Sequence, residues 1–86
     1  MAASSPSAAA LIALVRTAAL ENKDAGLTAN ILLPGTIDTP ANRKFESRAD
    51  FSKWVQPARL ASFILWLASD AAQDVTGAVI PVSGTG

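Results

Sequence analysis

The chain contains a strand pattern between residues 27 and 39 that stops at a proline-glycine pair and opens into a polar loop. Its apolar centre runs without a break to Pro34-Gly35, as is typical of a strand covered on both faces in a parallel sheet. Proline has no N–H for a central ladder, and glycine permits backbone angles closed to other residues, so the pair ends the strand sharply. Because open parallel sheets bind ligands at the carboxyl ends of their strands, we predict a ligand-facing turn at residues 34–39.

A helical pattern precedes this strand. It begins in the serine- and proline-rich segment before Ala8, and Gly26 is expected to end it. Its apolar residues form two faces, one of Leu11, Leu14, Val15 and Ala18, the other of Ala8, Ile12 and Ala19. One face can cover a sheet and the other can pack against a second helix, from this chain or another subunit. An ordinary core helix is the alternative.

A second helical pattern starts at Gln56-Pro57, and a second strand is predicted over residues 78–82. The expected core stripe of this helix consists of Leu60, Phe63, Ile64 and Leu67. The order is helix, strand, short helices, helix, strand. A helical crossover joins parallel strands, so we predict an α/β fold with two parallel strands, as a single unit over residues 1–86.

The segment 40–56 differs in composition from the rest of the chain. Charged residues of both signs alternate there with Phe45 and Phe51, and Thr39-Pro40 predicts the start of a short helix. We interpret the segment as a lid over the ligand turn, with a plain surface connection as the alternative. A phosphate-binding role is a weaker alternative for its basic residues Arg43, Lys44 and Arg48.

Composition excludes several classes of function. The chain has no cysteine and no histidine, which argues against disulfides, zinc sites of the usual ligand types and histidine general bases. Its net charge is zero, so no basic surface indicates nucleic acid as a partner. No run is long enough for a transmembrane helix, and we expect a soluble cytoplasmic chain. Half of the residues are hydrophobic, so we expect self-association or a missing covering layer.

The order and spacing of these segments resemble the C-terminal third of the short-chain dehydrogenases/reductases. The resemblance is carried by residues 7–21, 26–31, 34–40, 67–72 and 75–82. Residues 38–44 and 49–54 look in particular like the dihydropteridine reductase branch. The resemblance implies a partial Rossmann-type unit that lacks the N-terminal dinucleotide-binding half.

The family's cofactor roles can be assigned to the turn residue by residue. The resemblance implies that Pro34 and Gly35 shape the wall of a nicotinamide site, and that Thr36 lines the same turn. It also implies that the Ile37 backbone holds the carboxamide and that the Thr39 hydroxyl reaches the diphosphate. The cofactor would be NAD or NADP, and the segment 40–56 would be the substrate loop.

Two departures from the family pattern argue against catalysis. The helical register puts Ser4 at the family's tyrosine position and Ala8 at its lysine position, and the sequence contains no tyrosine. A serine hydroxyl without a neighbouring cation is a poor proton donor at neutral pH. The glycine-rich fingerprint G-x-G-x-x-G is absent as well. We therefore expect no catalytic residue, no metal, and no dinucleotide binding by the chain alone.

Three functional hypotheses follow. The chain is an inactive truncated homologue or fragment of an NAD(P)-dependent short-chain oxidoreductase. Alternatively, it is a structural module that forms a homo-oligomer through its apolar helices, without nucleic acid or membrane partners. The third hypothesis is a small-ligand binder that uses the turn from Pro34 to Thr39 without turnover.

Overall fold

A computed structural model describes residues 6–85 of the chain, with side chains from Ala8 onward. Short 3-10 turns stand at Lys23–Ala25, Phe51–Lys53 and Asp70–Ala72. The helices and strands are α1 (Pro6–Glu21), β1 (Ile31–Pro34), α2 (Pro40–Phe45), α3 (Pro57–Leu67) and β2 (Val79–Val82). The predicted order and the α/β class are therefore confirmed.

The two strands pair in parallel, as predicted. Ile31 lies opposite Val79, and Pro34 lies opposite Val82, so both strands end at the same level. The long connection between them contains α2 and α3. The carboxyl ends of β1 and β2 consequently lie at one edge of the sheet, and the predicted turn follows directly from β1.

The strand β1 is shorter than the sequence pattern suggests. It begins at Ile31 rather than at Leu27, whose side chain is 59% exposed. The Ala29 N–H, just before this strand, donates to a side chain instead of a strand partner: the Thr76 hydroxyl oxygen accepts from it at 3.1 Å. Only Ile31 of this strand is buried within the described part of the chain. The expectation of a strand covered on both faces is therefore wrong for this part of the chain.

Asn30 joins the start of β1 to the segment that leads into β2. Its side-chain amide donates to the Val75 carbonyl oxygen at 3.0 Å, and its side-chain oxygen accepts from the Ala78 N–H at 3.1 Å. The Ile31 N–H donates to the Ala78 carbonyl oxygen at 2.9 Å. One asparagine thus satisfies two backbone groups of the neighbouring segment and sets the register of the strands.

The helix α1 turns its face of small residues inward. Ala8 and Ala19 are buried, whereas Leu11 and Leu14 of the other predicted face are 40% and 66% exposed. A Cβ placed on Gly77 would lie 3.7 Å from the Ala19 Cβ, which shows how closely the helix approaches the start of β2. The leucine face is left without a covering element in the described residues.

The helix α3 buries its predicted stripe only in part. Leu60, Phe63 and Leu67 are half-buried, but Ile64 is 48% exposed, so its assignment to the core is wrong. Trp66 stacks against Phe63 with ring centroids 6.0 Å apart, and it too is partly exposed. The outer face of α3 therefore remains apolar and accessible.

Because these helix faces are exposed, the chain has more accessible surface than a compact monomer of the same mass. Its accessible surface is 6138 Å², whereas a compact monomer of this size exposes about 4800 Å². Its radius of gyration is 15.1 Å, against about 12 Å for a compact domain of this length. Among residues 6–85, the buried apolar side chains are Ala8, Ala19, Ile31, Val55 and Ala72. No large side chain of this described part of the chain is fully buried.

Replacing Asn30 with alanine is expected to destabilise the strand pair. The change leaves the Val75 carbonyl and the Ala78 N–H without their side-chain partner, which should lower the free energy of unfolding by about 1–3 kcal/mol. Urea unfolding followed by circular dichroism measures this loss. Asn22→Ala is the matched control, because the Asn22 amide donates only to the Ala18 carbonyl oxygen one turn earlier. Equal losses in the two variants would contradict the role of Asn30.

Candidate functional site

The candidate site is built on the edge where the two strands end. The Gly35 N–H donates to the Val82 carbonyl oxygen at 2.8 Å and extends the strand pairing by one residue. A Cβ on Gly35 would lie 3.3 Å from the Ser83 carbonyl oxygen, tighter than most side-chain contacts. Pro34 and Gly35 are both exposed. Glycine therefore lets the two chain segments approach closely while its own backbone stays accessible.

Past Gly35, the turn pairs with the end of the 40–56 segment. The Val55 N–H donates to the Thr36 carbonyl oxygen at 2.9 Å, and the Asp38 N–H donates to the Val55 carbonyl oxygen at 2.8 Å. Ile37 and Val55 thus form a parallel bridge, and Val55 is buried. Within residues 6–85 the Ile37 N–H has no hydrogen-bond partner. This donor is available at the edge.

The helix α2 begins directly after the turn, as predicted from Thr39-Pro40. The Thr39 hydroxyl oxygen accepts from the Asn42 N–H at 3.1 Å and caps the helix. The Asn42 side-chain amide donates to the Ile37 carbonyl oxygen at 2.8 Å. Sequence reasoning missed Asn42, although its position three residues after a threonine cap was an available signal.

A charged pair ties α2 to the turn. The guanidinium of Arg43 binds the Asp38 carboxylate through two nitrogens, at 2.6 and 2.8 Å. The same guanidinium lies 4.6 Å from the centre of the Phe51 ring, and the Phe51 ring centroid is 4.9 Å from that of Trp54. Arg43 is therefore engaged within the chain. This contact weakens the alternative of phosphate binding by Arg43, Lys44 and Arg48, because Arg43 already binds a carboxylate.

The far end of the 40–56 segment is fixed by the tail of the chain. The Thr85 N–H donates to the Lys53 carbonyl oxygen at 3.0 Å. Gly84 has a φ of +79°, and a Cβ there would collide with the same carbonyl oxygen, so the contact requires glycine. A cleft of about 320 Å³ lies beside this contact; its lining includes Trp54, Gln56, Arg59 and Leu60. The end of the 40–56 segment is thus held against the residues that follow β2.

The electrostatics of the turn follow from these contacts. The Arg43 guanidinium holds the pKa of the Asp38 carboxyl below its ordinary value, and Asp38 in turn raises the pKa of Arg43. Gln56 donates to Asp38 at 3.4 Å and adds to the same effect. Hydrogen bonds from Ser52 lower the pKa of Asp50, which caps the turn Phe51–Lys53. Both carboxylates are therefore ionised at neutral pH.

The structure gathers the predicted cofactor residues on one continuous edge. Pro34, Gly35, Thr36, Ile37 and Thr39 follow one another from the end of β1 to the cap of α2. Their role toward a cofactor stays a prediction. Of the two positions that the resemblance assigns to the family's catalytic pair, Ser4 lies outside the described residues. Ala8 is buried in α1.

The chain matches one family over almost its whole length. The model of the family described as "Enoyl-(Acyl carrier protein) reductase" matches residues 1–84. The chain belongs to the short-chain dehydrogenase/reductase family. This result confirms the resemblance at the level of the family, and it agrees with the parallel strand pair.

Individual relatives show how much of the family domain is present. The 3-oxoacyl-[acyl-carrier-protein] reductase MabA of Mycobacterium bovis is 36% identical over 86 residues, covering 91% of this chain and 35% of that protein. L-rhamnose 1-dehydrogenase (NAD(P)(+)) of Azotobacter vinelandii is 35% identical over 89 residues, covering 92% and 35%. A structure of 4-hydroxyisoleucine dehydrogenase complexed with NADH superposes with a TM-score of 0.74 at 27% identity, covering 91% and 36%. The chain spans about a third of the length of these relatives.

Residues 6–85 contain neither a membrane-spanning helix nor a metal-binding cluster. Between residues 6 and 85, no helix has the length and apolar content that crossing a bilayer requires. The same part of the chain holds no group of three acidic side chains placed to bind a metal ion.

Acid is expected to release the Asp38–Arg43 pair. Because the pKa of Asp38 is lower in the folded chain than its ordinary 3.8, the pair stabilises the fold above that value. This contribution is lost as the pH falls through the lowered pKa. Trp54 fluorescence in a Trp66→Phe background should therefore stay constant from neutral pH to about pH 4 and change below it.

The variant Asp38→Asn separates this effect from the titration of Asp50. It should already show the acid-state fluorescence at neutral pH, while Asp50→Asn should keep a transition close to that of the parent. An unchanged acid transition in Asp38→Asn would contradict the assignment.

Proposed function

We propose that this chain forms the nicotinamide-facing wall and the substrate loop of an NAD(P)-dependent short-chain oxidoreductase. One observation carries the proposal: the backbone of Gly35, the free N–H of Ile37 and the hydroxyl of Thr39 lie together on the edge formed by two parallel strands. Ligands of open α/β sheets bind at edges of this kind.

The chemical groups at the edge suit the proposed cofactor. The Ile37 N–H can donate to a carboxamide oxygen, and the Ile37 carbonyl has a second lone pair beside the one that accepts from Asn42. The Thr39 oxygen accepts from the Asn42 N–H, which leaves the hydroxyl hydrogen free to donate to a phosphate oxygen. Relatives named for NADH and NAD(P)+ support either form of the cofactor.

We propose in addition that the chain by itself is inactive. The sequence offers no tyrosine, and the resemblance assigns the family's lysine position to Ala8, whose methyl group is buried. It also contains no G-x-G-x-x-G segment to hold the diphosphate. The missing cradle and proton donor would come from residues outside these 86 or from a second chain. The excess exposed surface and the one-third coverage of relatives support this proposal.

We propose that the chain belongs to the dihydropteridine reductase branch of the family. The support is the likeness of residues 38–44 and 49–54 to that branch. These residues form the Asp38–Arg43 pair and the Phe51–Trp54 contact beside the edge. Of the functional hypotheses, the family match favours the oxidoreductase over a purely structural module.

Titration of the chain with NADH and NADPH tests both parts of the proposal. Calorimetry should show no saturable binding tighter than about 1 mM, because the diphosphate cradle is absent. Amide NMR signals of Gly35, Ile37 and Thr39 should nevertheless shift at millimolar cofactor, while that of Ile31 should not. No NADPH oxidation is expected with quinonoid dihydropterin or simple carbonyls.

Each outcome has a distinct meaning. Saturable micromolar binding, or turnover that survives repurification, would overturn the inactivity of the isolated chain. Shifts spread evenly over the molecule, or absent from the edge, would overturn the assignment of the nicotinamide wall. The variant Thr39→Ser keeps a hydroxyl and should retain the shifts.

We propose that the chain also self-associates through its exposed helix faces. Leu14 of α1 is 66% exposed and Leu65 of α3 is 72% exposed. The surface in excess of a compact monomer is about 1300 Å², which exceeds the roughly 800 Å² that each partner buries in a standard interface. A second copy could therefore cover what this chain leaves open.

Sedimentation velocity at low micromolar concentration should show a dimer or a tetramer. Leu14→Glu should shift the distribution toward monomer, because it places a charge in an apolar interface. Leu27→Glu is the matched control, since Leu27 is 59% exposed but lies in the loop before β1. A clean monomer of the parent chain would contradict the proposal.

A further inference from the structure

Asn42 contacts two of the groups that the proposed function assigns to the cofactor. Its side-chain amide donates to the Ile37 carbonyl oxygen at 2.8 Å, and its backbone N–H donates to the Thr39 hydroxyl oxygen at 3.1 Å. The first bond directs the Ile37 carbonyl toward α2, while the Ile37 N–H belongs to the preceding peptide unit and points away from Val55, because the Thr36 carbonyl oxygen of that unit accepts from the Val55 N–H. The second directs the Thr39 hydroxyl hydrogen away from the helix. One residue of α2 thus orients both groups.

The position of Asn42 depends in turn on how α2 is held. The helix is six residues long and is too short to be stable on its own. Its strongest link to the turn is the two-nitrogen bond of Arg43 to Asp38, whose side chain is 10% exposed. Stacking of Arg43 on Phe51 adds the next segment of the loop to this link. The charged pair therefore connects the loop to the edge.

The other end of the loop is fastened independently. Val55 is bonded to Thr36 and Asp38, and Lys53 accepts from Thr85. These backbone bonds do not involve the side chains of α2. Breaking the Asp38–Arg43 pair would therefore loosen α2, while the backbone bonds of Lys53 and Val55 remain.

We propose that Asn42 is a positioning residue for the cofactor edge and that the Asp38–Arg43 pair is the latch that holds it there. The proposal deepens the proposed function, because it rests on the edge being the cofactor wall. With the latch closed, the edge presents the Ile37 N–H and the Thr39 O–H as outward donors. A ligand with acceptor oxygens, such as a carboxamide or a phosphate, fits these donors.

Amide hydrogen exchange measured by NMR on the cofactor-free chain tests the latch. In Asp38→Asn, the backbone N–H of Asn42 should exchange about two- to five-fold faster, the range expected for a pair that is partly open to solvent. The Gly35 N–H, bonded to Val82, should keep its rate. In Arg43→Lys, the Asn42 N–H should exchange at a rate between those of the parent and Asp38→Asn, because lysine retains the charge but cannot bind the carboxylate through two nitrogens. Lys44→Gln, on the same helix, is the control and should behave as the parent.

The carbonyl ¹³C shift of Ile37 reports positioning rather than stability. It should move in Asn42→Ala and, to a smaller extent, in Asp38→Asn, and should stay unchanged in Lys44→Gln. Equal exchange rates in Asp38→Asn and Lys44→Gln would overturn the latch, and an unmoved Ile37 shift in Asn42→Ala would overturn the positioning role. Acceleration of Gly35 to the same degree as Asn42 would also overturn it, since the pair would then support the fold as a whole. No cofactor is present, so these results are independent of whether the edge binds NADH.

Discussion

The parallel pairing of β1 with β2 is the interaction on which the rest of the structure depends. It brings together segments almost fifty residues apart, and the Asn30 side chain joins them one residue ahead of the first ladder bond, which Ile31 makes. The pair places Gly35 beside Val82, and from there the turn reaches Val55 and α2. The turn that carries every group proposed to meet a cofactor starts at the end of this short ladder. A sheet of two strands is marginal by itself in water, which makes the side-chain bonds at its start important.

The chain does not cover the apolar surface that its own helices create. The small residues Ala8 and Ala19 pack inward, so α1 can approach the start of β2 closely, but the larger leucines are left outside. The same holds for the outer face of α3. In a family whose members are about three times longer, these faces suit additional layers or a second subunit. The fold and the proposed inactivity of the isolated chain thus have a common physical origin.

The candidate site shows what local patterns predict well. The proline-glycine stop, the threonine cap and the prolines at the helix starts depend on backbone chemistry within a few residues, and each appears in the structure where the sequence indicates it. The resemblance identified the family from the order of such signals. Long-range contacts could not be predicted in the same way: the early start of β1 was wrong because the Ala29 N–H donates to the Thr76 hydroxyl oxygen and the Asn30 side chain bonds the Val75 carbonyl oxygen and the Ala78 N–H. The assigned cofactor roles remain predictions.

By itself, the sequence determined the α/β order of elements, the parallel direction of the strands and the position of the turn, because periodicity and backbone restrictions act locally. Only the tertiary structure decided which face of α1 is buried, which partners Arg43 and Asn42 take, and that the end of the 40–56 segment pairs with Ile37. These outcomes depend on distances between segments that are remote in the chain or face one another across a turn. The sequence gives α1 two apolar faces of different size without deciding which of them is buried. The close approach of Gly77 to α1 selects the face of small residues, because it admits alanine and excludes leucine.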